Sequence, residues 1–112
     1  MVKLWVIGLL VWATEAQAQA SVSEGKRLWY KSQFINGQER SCTTCHGLDL
    51  TLHGKHQRTM KLIEPMSQKV NNTRFRSEKK VEKWFKRNCK WTWGRECTSQ
   101  EKSDILIFLL AE

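Results

Sequence analysis

A single proline, Pro65, and a single tyrosine, Tyr30, occur in the 112 residues, and only six positions are glycine. There is no Pro- or Gly-rich linker, internal repeat or low-complexity tract to divide the chain. Long apolar runs are also missing. The longest, Leu4 to Ala13, has ten residues, whereas crossing the roughly 30 Å hydrocarbon layer takes about 20. Any membrane contact is therefore expected to be peripheral at most. Acidic residues are scarce, 11 against 19 Lys and Arg, which leaves a formal net charge of +8. In a cytosolic chain such a balance first suggests nucleic acid.

The first twenty residues argue against that partner. Lys3, the apolar run and the small-residue string Ala16-Gln17-Ala18-Gln19-Ala20 follow the order of a secretory signal peptide. Residues 1–20 are read as that signal, with cleavage after Ala18 or Ala20, and residues 21–112 as one exported, periplasmic domain. Processing removes one base (Lys3) and one acid (Glu15), so the charge belongs to the exported part. Outside the cytosol no nucleic acid is expected, and an acidic protein or anionic surface becomes the better partner. A domain this small buries only roughly 60 to 70% of its unfolded surface. Exported domains of this size make up the difference with disulfides, metals or a cofactor.

Four cysteines are available for that. Cys42 and Cys45 stand in Ser41-Cys42-Thr43-Thr44-Cys45-His46-Gly47, a C-x-x-C-H motif that reads as a c-type haem attachment site. Thiols three positions apart can form thioethers with the two vinyl groups on one porphyrin edge. The following His46 then meets the iron from one face as proximal ligand. A thioredoxin-like redox pair would expect a βαβ pattern nearby, and no strand-like alternation is evident. Zinc ligation with His53 and His56 would need a wider histidine spacing than theirs. One covalent haem c is the expected cofactor. Cys89 and Cys97 remain in an oxidising compartment and are expected to pair. Closing so short a loop contributes about 2 to 3 kcal/mol by the chain-entropy estimate. Two free thiols, or a catalytic disulfide, are the alternatives.

The rest of the chain reads as helices. Ser21-Val22-Ser23-Glu24 fits a capping box opening a helix that runs to about Phe34 and stops at Asn36-Gly37. Residues 51–72 show no period and include Pro65, so an extended loop around the cofactor is expected. Ser77 caps a helix from Glu78 to about Asn88, whose inward stripe is Val81, Trp84, Phe85 and Asn88. Thr98-Ser99-Gln100-Glu101 is a further capping box, and the helix it opens is apolar almost all round over Ile105–Ala111, as in a central core element. The fold class expected is all-α, a small cytochrome built around its haem. The usual sixth iron ligand in such a protein is methionine. Met60 and Met66 are the candidates, although either could simply fill a gap in the packing. His53 and His56 lie close to His46 in sequence and are expected to face solvent or the haem propionates.

The segment Lys80-Val81-Glu82-Lys83-Trp84-Phe85-Lys86-Arg87-Asn88-Cys89, continued by Gly94-Arg95-Glu96-Cys97-Thr98, is far more selective than C-x-x-C-H, as is His56-x-Arg58-Thr59-x-Lys61-x-Ile63-x-Pro65. With these segments the chain resembles the Sphaeroides haem protein family, monohaem class I-like cytochromes c whose sixth ligand is asparagine. The likeness spans nearly all of the chain after the signal. It implies that Asn88 is the distal ligand, in place of Met60 or Met66, and that Cys89–Cys97 is the family's disulfide beside it. It also implies that the weak amide lets go on reduction and that a small diatomic gas, oxygen or nitric oxide, binds at the haem iron. The redox partners it suggests are a dihaem cytochrome c and a membrane cytochrome b. Met60 departs from the family, where glycine is expected. Three functions follow: electron transfer with redox-linked gas binding, a plain His/Met electron shuttle, and an oxygen or nitric-oxide reductase or peroxidase-type enzyme, for which no distal proton donor can be placed.

Overall fold

The computed structural model describes Gly8 and residues 19–112. The expected signal over residues 1–20 lies outside the described residues apart from Gly8, Gln19 and Ala20. Among the described residues no helix is long and apolar enough to cross a membrane.

Helix α1 (Val22–Tyr30) begins where Ser21, in extended conformation, accepts a hydrogen bond from the Glu24 N–H at 3.2 Å. Only this half of the box forms. The Glu24 carboxylate turns to Arg27, while the Ser21 N–H donates to Asp104 Oδ1 at 2.8 Å. The helix ends at Tyr30, short of the expected Phe34, and the chain enters a hairpin, β1 (Gln33–Ile35) and β2 (Gln38–Arg40). Asn36 and Gly37 form its turn, with φ of 51° and 76°. Two successive positive φ values make the type I′ turn that matches strand twist, the strongest use of Asn-Gly. A second hairpin, β3 (Gly54–Lys55) with β4 (Leu62–Ile63), occupies the stretch expected to be an extended loop.

The all-α expectation is therefore wrong. Among the described residues, four helices and two small two-stranded antiparallel sheets make a mixed fold. Strands of two or three residues are too short to show an alternation in the sequence, which is why they were missed.

Helix α2 (Cys42–His46) is a single turn. Helix α3 (Glu78–Trp93) is capped by Ser77 and continues past Asn88 to Gly94, whose φ of 72° and N–H bond to the Lys90 carbonyl close it. Helix α4 (Ser99–Leu110) has the full capping box: Thr98 accepts from the Glu101 N–H at 3.1 Å, and Glu101 accepts from the Thr98 N–H at 2.8 Å. Arg95 holds the same carboxylate with two bonds of 2.8 and 2.9 Å. Between α3 and this cap lies the Cys89–Cys97 disulfide, with Cα atoms 5.6 Å apart.

The core forms where α1 crosses α4. Leu28 and Trp29 meet Ile105, Phe108 and Leu109, joined by Leu50, Met66, Cys89 and Trp93. Helix α4 is less uniformly enclosed than expected, because Ile107 and Leu110 are exposed. The inward face of α3 also differs: Cys89, Thr92 and Trp93 are buried, Val81 and Phe85 half-buried, and Trp84 and Asn88 exposed. The fully buried residues of α3 lie in its C-terminal turns, and of the expected stripe only Phe85 packs against the core, so the stripe only partly coincides with the buried face.

Candidate functional site

The chain after β2 tightens into α2 because Ser41 is a good cap. Its N–H donates to Thr44 Oγ1 at 2.9 Å, and Gly47 ends the turn at φ 76°, its N–H bonded to the Thr43 carbonyl. On one helical turn residues three apart share a face, so the turn holds Cys42 and Cys45 on one side and sets His46 beside them. Both thiols are free and half-buried. Burial pushes the Cys42 thiol up to about 12. It is thus protonated at neutral pH, unlike the low-pKa thiolate of a redox-active C-x-x-C.

His46 is held from several directions. Its ring lies 5.1 Å from that of Trp29, tilted by 37°, and Trp29 is itself locked in the core. The backbone of β3 passes directly behind. A Cβ on Gly54 would collide with the Cys45 carbonyl oxygen and stand 2.8 Å from His46 Cα. The β3–β4 turn is tied to α2 as well, since Gln57 Nε2 donates to the Thr44 carbonyl at 3.1 Å. Burial, aided by the positive charge of Arg74, brings the His46 pKa down to about 4. The imidazole is therefore neutral, the form in which histidine ligates a metal. Arg74 is fixed in turn by donating to the carbonyls of Glu64 and Pro65 at 2.7 and 3.1 Å.

The remaining candidates divide clearly. Met66 is buried in the core. Met60 is 56% exposed in the β3–β4 turn, with φ of 60°. Asn88 is exposed one position before the disulfide, and Trp84, one helical turn earlier on the same face, is 46% exposed. Phe85, beside it, packs partly against the core. His53 is exposed, 3.5 Å from Glu64. His56 is half-buried, and its Nδ1 accepts from the Arg58 and Thr59 N–H groups at 3.2 and 3.1 Å. That imidazole organises the turn. Among the described residues, no three His, Cys, Asp or Glu side chains gather as a metal cluster.

These surroundings suit haem c. Large apolar side chains stand exposed on the segments after α2 and on α3: Leu48, Leu52, Met60, Leu62, Val70 and Trp84. Apolar exposure on that scale marks a binding surface. Four buried donor-capable nitrogens, Trp29 Nε1, Arg40 Nε, His46 Nδ1 and Trp93 Nε1, have no partner among the described residues, although buried polar atoms are nearly always paired. Two thiols three positions apart, a neutral imidazole beside them and exposed apolar side chains on the segments that follow are what attachment of an apolar macrocycle requires.

Sequence reading found Cys42, Cys45 and His46 through their spacing, but missed Gly54, Gln57 and Arg74. These act across the turns that follow, and nothing local in the sequence marks them.

A family model described as a domain of unknown function, DUF1924, matches residues 15–109. The cytochrome c-type protein SHP of Cereibacter sphaeroides is 41% identical over 98 residues, covering 87% of this chain and 75% of that one. The structure of oxidised SHP, described as an oxygen-binding cytochrome c, superposes with a TM-score of 0.76 at 40% identity, covering 83% of each chain. The solution structure of cytochrome c'' from Methylophilus methylotrophus, described for the structural basis of haem-ligand detachment, gives a TM-score of 0.70 at 32% identity. It covers 83% of this chain and 76% of that one.

Proposed function

Because the chain belongs to the DUF1924 family and to the Sphaeroides haem protein family of c-type cytochromes, we propose that it is an exported, periplasmic cytochrome combining electron transfer with binding of a small diatomic gas. One haem c is held covalently by Cys42 and Cys45, with His46 as proximal ligand and Asn88 as distal ligand. When bound, the haem would supply one-electron chemistry and an iron site for oxygen or nitric oxide, with the Asn88 amide as the weakly held ligand that a gas would replace. The single observation carrying this reading is the α2 turn, which sets two thiols beside a half-buried imidazole whose ring lies tilted against that of Trp29.

The protein's own residues supply the rest. Trp29 fixes the tilt of His46, and the bare backbone of Gly54 lets β3 brace the turn from behind. Burial, helped by the positive charge of Arg74, keeps the imidazole from taking up a proton. On the distal side, an uncharged amide is a weak donor beside the thioether or imidazole of ordinary cytochromes. The disulfide ties Cys89, and with it the helix bearing Asn88, to the α4 cap. Trp84 and Phe85 offer apolar surface one turn before Asn88. A plain His/Met shuttle is less well supported, because Met66 is enclosed in the core and Met60 sits in the β3–β4 turn. Relatives described as oxygen-binding and as showing haem-ligand detachment support the gas-binding reading.

Replacing Asn88 with methionine gives the iron a thioether that holds ferrous iron more firmly. Carbon monoxide affinity of the reduced protein, measured by titration, is expected to fall by at least about tenfold, equivalent to about 1.4 kcal/mol. Unchanged affinity would show that Asn88 is not the group displaced.

A further inference from the structure

The outer face of α3 carries a row of lysines that the proposed function leaves unused. Lys79, Lys83, Lys86 and Lys90 follow the spacing i, i+4, i+7, i+11, which stacks them in one stripe along a helix. All four are exposed, as are Lys80 and Arg87 at its side. None of the four makes an ion pair with a described residue. The helix's own acids do not neutralise the row, since Glu82 is drawn away to Lys102 of α4 at 2.8 Å. Like charges at i, i+4 destabilise a helix by a few tenths of a kcal/mol per pair. The row therefore carries a small stability cost that mixed charges would avoid.

We propose that this lysine row on α3 is the docking face for an acidic redox protein, one that presents a cluster of carboxylates beside its own electron-carrying centre. Charge complementarity argues for that occupant: the four cations lie in one line, and the acids nearest to them, Glu82 and Glu96, share a hollow with Lys83, Lys86 and a further cation, Lys102, without pairing to the row. Position argues for it too. The row lies on the side of α3 turned away from its buried Thr92, with the buried Trp93 ending the same stripe and Asn88 across the helix, and a helix is about 10 Å across. A partner seated on the lysines is thus separated from the distal ligand by the thickness of one helix. This closeness rests on the assignment of Asn88 made above, whereas the charge argument does not. A membrane is the poorer occupant, because interfacial helices bury an apolar face in the bilayer, whereas the row is made of lysines and the exposed Trp84 lies on another side of the helix.

The test uses the haem-loaded protein and a reduced plant-type ferredoxin as the acidic probe. The second-order reduction rate is followed by stopped flow at low and high salt. Steering by a charged face raises such rates by 10- to 1,000-fold and is screened by salt. The wild-type rate is expected to fall at least about tenfold on raising the salt. The combined variant Lys79→Glu, Lys83→Glu, Lys86→Glu and Lys90→Glu is expected to lose at least about tenfold at low salt and to show little salt dependence. The corresponding glutamine set should lie between the two. Reduction by an uncharged hydroquinone should be the same in every variant, which reports an intact haem site. An equal or larger loss from Lys55→Glu, Arg58→Glu and Lys61→Glu would overturn the proposal by moving docking to the β3–β4 turn. So would an unchanged rate in the glutamate set. Lysine-dependent binding to phosphatidylglycerol vesicles, with the ferredoxin rate intact, would assign the face to lipid and equally overturn it. Failure of the carbon monoxide experiment on Asn88 would leave these outcomes readable, because they need only a reducible haem.

Discussion

Gly25 has no room for a side chain where α1 crosses α4: a Cβ would strike the Asp104 carbonyl oxygen and lie 2.8 Å from Phe108 Cβ. Neither backbone nor core can give way freely there, and overpacking of this kind costs about 1 to 3 kcal/mol. Gly25→Ala is expected to lower the thermal midpoint of the haem-loaded protein by about 4 to 8 °C for each kcal/mol lost. An unchanged midpoint would show that the crossing is not tight. Met60 is the opposite case. It takes a φ of 60° at the position where the family is expected to have glycine, and a left-handed conformation strains a residue bearing Cβ by about 1 to 2 kcal/mol. Met60→Gly should leave the midpoint unchanged or raise it, and a clear fall would mean the thioether has a structural or ligating task. At this scale the sequence was most legible where chemistry demands a spacing, as in Cys42, Cys45 and His46. It was silent where a residue matters through what passes behind it, as with Gly54, or through a charge brought in from a distant turn, as with Arg74.

Among the elements, the helix starts were readable because a cap is a local device. Ser21, Ser77 and Thr98 each accept the hydrogen bond their position predicts. Ends were harder. Asn36-Gly37 satisfies the positive φ of a helix stop and of a type I′ turn equally well, and only the pairing of β1 with β2 decides between them. Helix α3 outran its expected end because Gly94, the residue that can close it, comes six positions after Asn88. The α4 cap makes a pH prediction. Hydrogen bonds from Arg95 and from the Thr98 N–H hold Glu101 at about 2, below its ordinary 4.5. Its carboxylate is thus ionised in the folded protein at pH values where the unfolded chain binds a proton. This contribution to stability is present above about pH 4.5 and is lost as pH falls from there toward 2. Glu101→Gln should lower the midpoint at neutral pH and flatten its dependence in that window. Denaturant titrations of both proteins between pH 2 and 6 would check this, and parallel curves would contradict it.

For the whole molecule, the scarcity of acids and the small size have one explanation. The basic charge lies in the domain that follows the expected signal, much of it in the row on the outer side of α3, while the core is a single α1–α4 crossing extended by Leu50, Met66, Cys89 and Trp93. Such a core is modest, and the surrounding hairpins add little of their own. The exposed apolar side chains after α2 and the unpaired buried donors are what a covalently held macrocycle would cover and satisfy. The proposed ligation of haem c by His46 and Asn88 is best checked by the absorption spectrum of the purified protein, oxidised and reduced. Expected are a covalent c-type haem, an oxidised spectrum without the methionine–iron charge-transfer band, and a reduced spectrum that turns high-spin and shifts with carbon monoxide. A methionine–iron band in the oxidised protein, with a reduced form that ignores carbon monoxide, would contradict it.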